Sequence, residues 1–120
     1  DGEVKFARYF PTGTTTQGSG DVTAYIYDDP NIVYAIQSAG SADFADIGQL
    51  ADHVAGTGDT STGQSKFEIS GTTGTGTAGM RILGLYETPK NAFGTNGILE
   101  ATIHEHELNQ HIDADGTVGV

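Results

Sequence analysis

His104-Glu105-His106-Glu107, with His111 beyond, is the stretch whose side chains are best suited to chemistry. A neutral imidazole nitrogen binds zinc and related metals, and a neighbouring carboxylate can orient it or move a proton. On a β-strand, side chains two apart share a face, so His104 and His106 would point the same way. His104, His106 and His111 are therefore the candidate metal ligands. The spacing is not that of the H-E-x-x-H zinc-protease helix, because the residue four after His104 is Leu108. It also lacks the later Glu and Gly blocks of a cupin site. A half-exposed polar strand near the end of the chain accounts for the same residues without a metal. That is the favoured reading, and no cofactor is expected.

Other candidates are weaker. Asp113-Ala114-Asp115-Gly116 resembles the start of a calcium loop, but the sequence ends before a bidentate Glu at position twelve. Asp28 and Asp29 form a carboxylate pair; followed by Pro30-Asn31, they read as turn makers. No G-x-S-x-G elbow is present, and residues 71–76 resemble a phosphate loop only in glycine content. Tyr25, Tyr27 and Tyr34 form a candidate aromatic ladder for carbohydrate, which cross-strand packing explains equally well. No catalytic residue is assigned, and the chain is read as non-enzymatic.

The elements that would position these groups read as β-structure. Strands are expected at 3–9, 21–28, 32–37, 52–55, 65–70, 80–86 and 98–108, from β-branched and aromatic content and from partial alternation. Residues 21–28 and 32–37, joined by the turn at Asp28-Asp29-Pro30-Asn31, are the clearest hairpin. Phe44, Ile47 and Leu50 recur at threes, which predicts a helix of about two turns within 41–50, capped by Ser41. Residues 56–64 and 71–79 read as loops, and 88–96 as a loop or single helical turn. The fold class is all-β, mainly an antiparallel sandwich or barrel, with one short helix. One β-rich domain is expected over 1–108, with a polar tail at 109–120.

Composition narrows the function. The 120 residues carry 16 acidic and 5 basic side chains, a net charge of −11, which disfavours nucleic acid and anionic membranes as partners. No signal-peptide pattern or spanning helix is expected. Cysteine is absent, so disulfides and thiolate chemistry are excluded. Hydrophobic residues make up 36% and glycines number 18, which predicts a small core that gains from contacts with neighbours.

The order of several short motifs resembles a family of small virion proteins of tailed bacteriophages, the capsid decoration or cement proteins. The matching pieces are Tyr9-Phe10-Pro11 with Gly13-Thr14, then Ala24-Tyr25-Ile26-Tyr27-Asp28-Asp29-Pro30-Asn31-Ile32-Val33, and Ile36-Gln37. Ala45-Asp46-Ile47-Gly48-Gln49, Ala51-Asp52 and Thr62-Gly63-Gln64-Ser65 follow. Arg81-Ile82-Leu83-Gly84-Leu85, Asn91-Ala92-Phe93-Gly94-Thr95-Asn96 and Glu105-His106 complete the set. The resemblance covers about Tyr9 to His106; each motif alone is weak, and their shared order carries it. It departs from the family in lacking a further N-terminal segment and in residues 107–120, which run past the usual end.

The resemblance implies a β-rich protein, a homotrimer in the family's manner, on the capsid exterior and partnered by the major capsid protein. Asp28, Asp29, Pro30, Thr62, Gly63 and Gln64 are the expected interface residues, because loops on a rigid scaffold carry recognition. Two other function classes remain as alternatives. One is a metal-binding β-barrel enzyme using His104 and His106; the other is an exported filament, surface-assembly or glycan-binding subunit.

Overall fold

A computed structural model describes residues 6–9, 23–76 and 78–106. Its strands lie in antiparallel sheets, and the fold is all-β. The main sheet has four strands: β1 (Tyr34–Gln37), β3 (Leu50–Ala51), β6 (Met80–Leu85) and β8 (Ile98–Ile103). Their order across the sheet is β1-β8-β6-β3. Two short ribbons flank it. One pairs β2 (Ser41–Ala42) with β7 (Gly94–Thr95), the other β4 (His53–Val54) with β5 (Glu68–Ile69).

β8 is the hub, bonded to β1 on one side and β6 on the other. Its alternation buries Leu99 and Ala101, which meet Ile36 and Tyr34 across one seam. Across the other seam Ile82 faces Ala101 and Leu85 faces Leu99. Ile82 and Leu85 are three apart, so a regular strand would place them on opposite faces. A bulge between Ile82 and Gly84 inserts one residue, Leu83, and brings Leu85 back to the core face. The core is small: Ala42, Ala51, Ile69, Ile82, Leu99 and Ala101, with Ile36, Met80 and Leu85 packed against it.

The strand expected at 80–86 forms; those expected at 52–55 and 65–70 shorten to β4 and β5, and the one expected at 98–108 ends at Ile103. Several expectations are corrected. Residues 23–29 form no ladder, so the expected hairpin with 32–37 is not made; β1 pairs with β8 instead. The reason lies in the turn. The N–H of Ile32 donates to the Asp29 carbonyl at 3.2 Å, with Pro30 and Asn31 between them. Pro30 holds its φ near about −65°, and Asn31 is not among the residues with positive φ. The turn is thus type I, whose twist splays flanking strands where a two-residue hairpin needs a primed turn.

The two-turn helix is reduced to one 3-10 turn at Phe44–Asp46. Ser41 lies in β2, and Asp43 starts the turn: its N–H donates to Asp46 Oδ2 at 2.7 Å. Gly48 has φ of 84°, and Leu50–Ala51 joins the sheet opposite Arg81 and Met80. The expected loop at 71–79 contributes Gly74, whose N–H and C=O bond those of Leu50 on the outer side of β3. Residues 6–9 are not in a strand, and 3–5 and 109–120 lie outside the described residues.

Candidate interaction surface

The first expected contact region is the acidic turn. Asp29 Oδ1 accepts the Asn31 N–H at 2.8 Å, an Asx-type bond that fixes the corner. Asp28 and Asp29 are exposed and Pro30 is half-buried. The chain before the turn is exposed at successive residues: Tyr25 at 88%, Ile26 at 76% and Tyr27 at 82%. Among the described residues, no backbone hydrogen bond involves residues 23–28. Tyr25 and Tyr27 therefore form no ladder with Tyr34, which sits in β1 opposite Ala101.

The second region, which holds Thr62, Gly63 and Gln64, is organised by Asp59. The Asp59 N–H donates to the Gln64 carbonyl at 2.8 Å, and its carbonyl accepts the Gly63 N–H at 2.8 Å. Asp59 Oδ1 accepts the Ser61 hydroxyl at 2.6 Å and the Ser61 N–H at 2.9 Å, and Oδ2 faces Lys66 Nζ at 3.8 Å. The Ser61 hydroxyl, then the Ser61 backbone amide, hold the Asp59 carboxyl below its ordinary range. Gly63 has φ of 74°, and a side chain there would come within 2.5 Å of Arg8 Cβ, so Arg8 lies against this turn. Thr62 and Gln64 remain exposed.

Beside this loop is an open hollow of about 600 Å³ lined by Gln37, Gln64, Ser65, Lys66, Phe67 and Glu68. Gln37 Nε2 donates to Glu68 Oε1 at 2.8 Å, which ties the end of β1 to β5. The Phe67 ring lies 5.8 Å from His53, tilted by 30°. The lining is evenly divided between polar and apolar surface and is open, suited to a broad contact more than to an enclosed small molecule.

β8 ends at Ile103, so the shared-face argument for His104 and His106 does not apply to them. The His104 N–H donates to the Gly79 carbonyl at 2.8 Å, and the His104 side chain is half-buried. His106 is only 8% exposed, with Nε2 at 3.8 Å from Asp28 Oδ1. The chain thus brings the histidine segment to the acidic turn, a pairing that sequence spacing does not reveal. His111 lies outside the described residues. Among the described residues, no group of three or more His, Asp or Glu side chains could hold a metal.

Two features have little sequence signal. Asn91 clamps two ends of chain: Nδ2 donates to the carbonyls of Tyr86 and Ile98, and Oδ1 accepts the Ile98 N–H at 2.9 Å. An Asn in a polar loop is ordinary, so only the three-dimensional arrangement identifies it. Phe44 and Phe93 meet edge to face, with centroids 6.2 Å apart, and both remain exposed. Comparison with protein-family models, curated proteins and solved structures gives no match.

Proposed function

We propose that this protein is a non-catalytic structural subunit that decorates and stabilises a tailed-phage capsid from the outside, through contacts with capsid subunits and with its own copies. The observation that carries the reading is the distribution of apolar side chains. Among the described residues, seven hydrophobic residues are buried, three of them alanines, while twelve large hydrophobics are exposed. A surface of that kind is made to be covered. The order of motifs along the chain supplies the capsid as the surface to which it docks.

Decoration requires no reactive group. A subunit that binds only the assembled shell stabilises it by mass action, and many modest contacts on a symmetric lattice add by multivalency. The turn at Asp28, Asp29 and Pro30 and the Asp59-organised loop with Thr62, Gly63 and Gln64 present fixed polar corners beside apolar side chains. With a net charge of −11, the complementary shell surface is basic.

The test is co-sedimentation of the purified protein with emptied, expanded heads of a tailed phage. The expected result is saturable binding and a higher temperature of head disruption. No association with heads, or open fibres of the protein alone under the electron microscope, would overturn the reading.

A further inference from the structure

We infer that residues 23–27 of one copy add as a strand to the outer edge of β1 of a second copy. The inference rests on the self-association in the proposed function and names the surfaces that make it. The ladder between β1 and β8 runs through Tyr34, Ile36 and Ser38; the Ser38 N–H, for example, donates to the Gly97 carbonyl at 2.9 Å. Hydrogen-bonding direction alternates along a strand, so the N–H and C=O groups of Ala35 and Gln37 point to the other side. Among the described residues, no backbone group pairs with those of Ala35 there. β5 closes the C-terminal end of this edge: Ile69 bridges Ser38 in parallel, which sets the Ile69 N–H against the Gln37 carbonyl, and the Ala39 N–H donates to the Ile69 carbonyl at 2.8 Å, so the open stretch is centred on Ala35.

The same chain therefore carries an open strand edge and an extended segment with unpaired backbone. Residues 23–27, Thr-Ala-Tyr-Ile-Tyr, hold no charge, glycine or proline and are rich in strand-forming types. β1, Tyr-Ala-Ile-Gln, is also uncharged and lacks the lysine or proline by which natural proteins protect exposed edges. The type I turn at Pro30 turns the segment away from its own β1. A second copy presents the same edge without that turn between them, the usual condition for exchange of an element between protomers.

The area is adequate. Tyr25 and Tyr27 each offer roughly 150–250 Å². Each copy both gives a segment and receives one, so a mutual exchange approaches the roughly 1,000 Å² that a specific interface must clear. In a molecule with net charge −11, an uncharged seam is also where two copies meet with least repulsion.

The test uses the whole chain in sedimentation equilibrium, with two variants. Ile26→Pro removes an N–H from the arm. Ala35→Pro removes one from the edge while leaving the β8 ladder intact, because that N–H points outward. Wild type is expected to be oligomeric, and each variant to weaken self-association roughly tenfold or more while keeping the wild-type circular dichroism. Mixing the two variants should restore pairing, since one retains a good edge and the other a good arm. Oligomers indifferent to both variants would overturn the inference and leave the decoration reading standing. A monomer whose arm amides resist exchange at every concentration would show that the arm folds back on its own β1, and would also overturn it. A monomer that binds heads through the arm would assign the edge to a capsid subunit, and the pairing between copies would fall with it.

Discussion

Gly56 passes so close to the carbonyl of Lys66 that a methyl group at Gly56 would overlap the oxygen and its carbon. Lys66 holds φ of 57° there, a left-handed conformation that already costs a non-glycine residue free energy. Gly56→Ala should therefore destabilise the fold by about 1–3 kcal/mol, as overpacking against backbone does. A urea titration followed by tyrosine fluorescence would show the midpoint fall. An unchanged midpoint would mean that the β4–β5 ribbon relaxes freely.

Asn91 makes three hydrogen bonds to the backbone of Tyr86 and Ile98, two by donation and one by acceptance. Asn91→Ala should cost about 2–3 kcal/mol, from roughly 1 kcal/mol for each bond lost. Asn91→Asp should be worse at pH 7, because a carboxylate would then face two carbonyl oxygens. Protonation restores a donor, so the gap between the Asp variant and wild type should narrow as pH falls. Paired chemical denaturations at pH 4 and pH 7 measure this.

The carboxyl of Asp59 is held below its ordinary value of 3.8, chiefly by the Ser61 hydroxyl. A depressed folded-state value means that this group's contribution is fully present above the unfolded value. It is lost as pH falls through the folded one. Ser61→Ala should move the carboxyl titration of Asp59 upward toward 3.8. Carbon-detected NMR titration of that side chain is the measurement, and an unmoved midpoint would show that the hydroxyl does not hold it.

Adjacent residues on β6 should respond very differently to truncation. Ile82 is buried against Ala101, and Ile82→Ala should cost about 2–5 kcal/mol, a large share of the stability of a domain this small. Leu83 is the extra, exposed residue of the bulge, and Leu83→Ala should cost under about 1 kcal/mol. Thermal unfolding of the two variants beside wild type decides this.

Elemental analysis of untagged protein bears on the histidines. No zinc, iron, nickel or manganese at one equivalent is expected. A stoichiometric metal that is lost in His104→Ala would establish the metal-binding reading instead.

The strands that can be read from sequence are those whose burial is set by their own pattern. β8 is readable from Ile103 and a partial alternation, less clean in sequence than the burial of Leu99 and Ala101 makes it in the fold, and the apolar run Met80, Ile82, Leu83, Leu85 marks β6 even though its bulge breaks the period. The hairpin is not legible, because Tyr25, Ile26 and Tyr27 have strand-forming side chains while the hand of the Pro30 turn decides whether they can pair. The helix is not legible either, because Phe44, Ile47 and Leu50 imitate a helical face. In the fold Phe44 is exposed and Leu50 pairs with Arg81 of β6, so long-range pairing outweighs local spacing. The two-residue strands β2 and β7 have too little chain for any period. In the candidate surface, turn chemistry makes Asp28, Asp29 and Pro30 readable. The approach of His106 to Asp28 is not, because it depends on where β8 ends.

The central place of β8 also sets the order of events during synthesis. It pairs Tyr34 with Ala101, and every other strand of the main sheet lies to its N-terminal side in the chain. A nascent chain halted before Ile98 holds β1 with nothing to pair against and β6 without its longest partner. Folding must wait for residues 98–103 to leave the ribosome, and contacts this distant along the chain close slowly. Until then the apolar segment at 25–27 and the bare edge of β1 are exposed together, so the cell's demand for chaperone capacity falls on the interval before the last strand emerges.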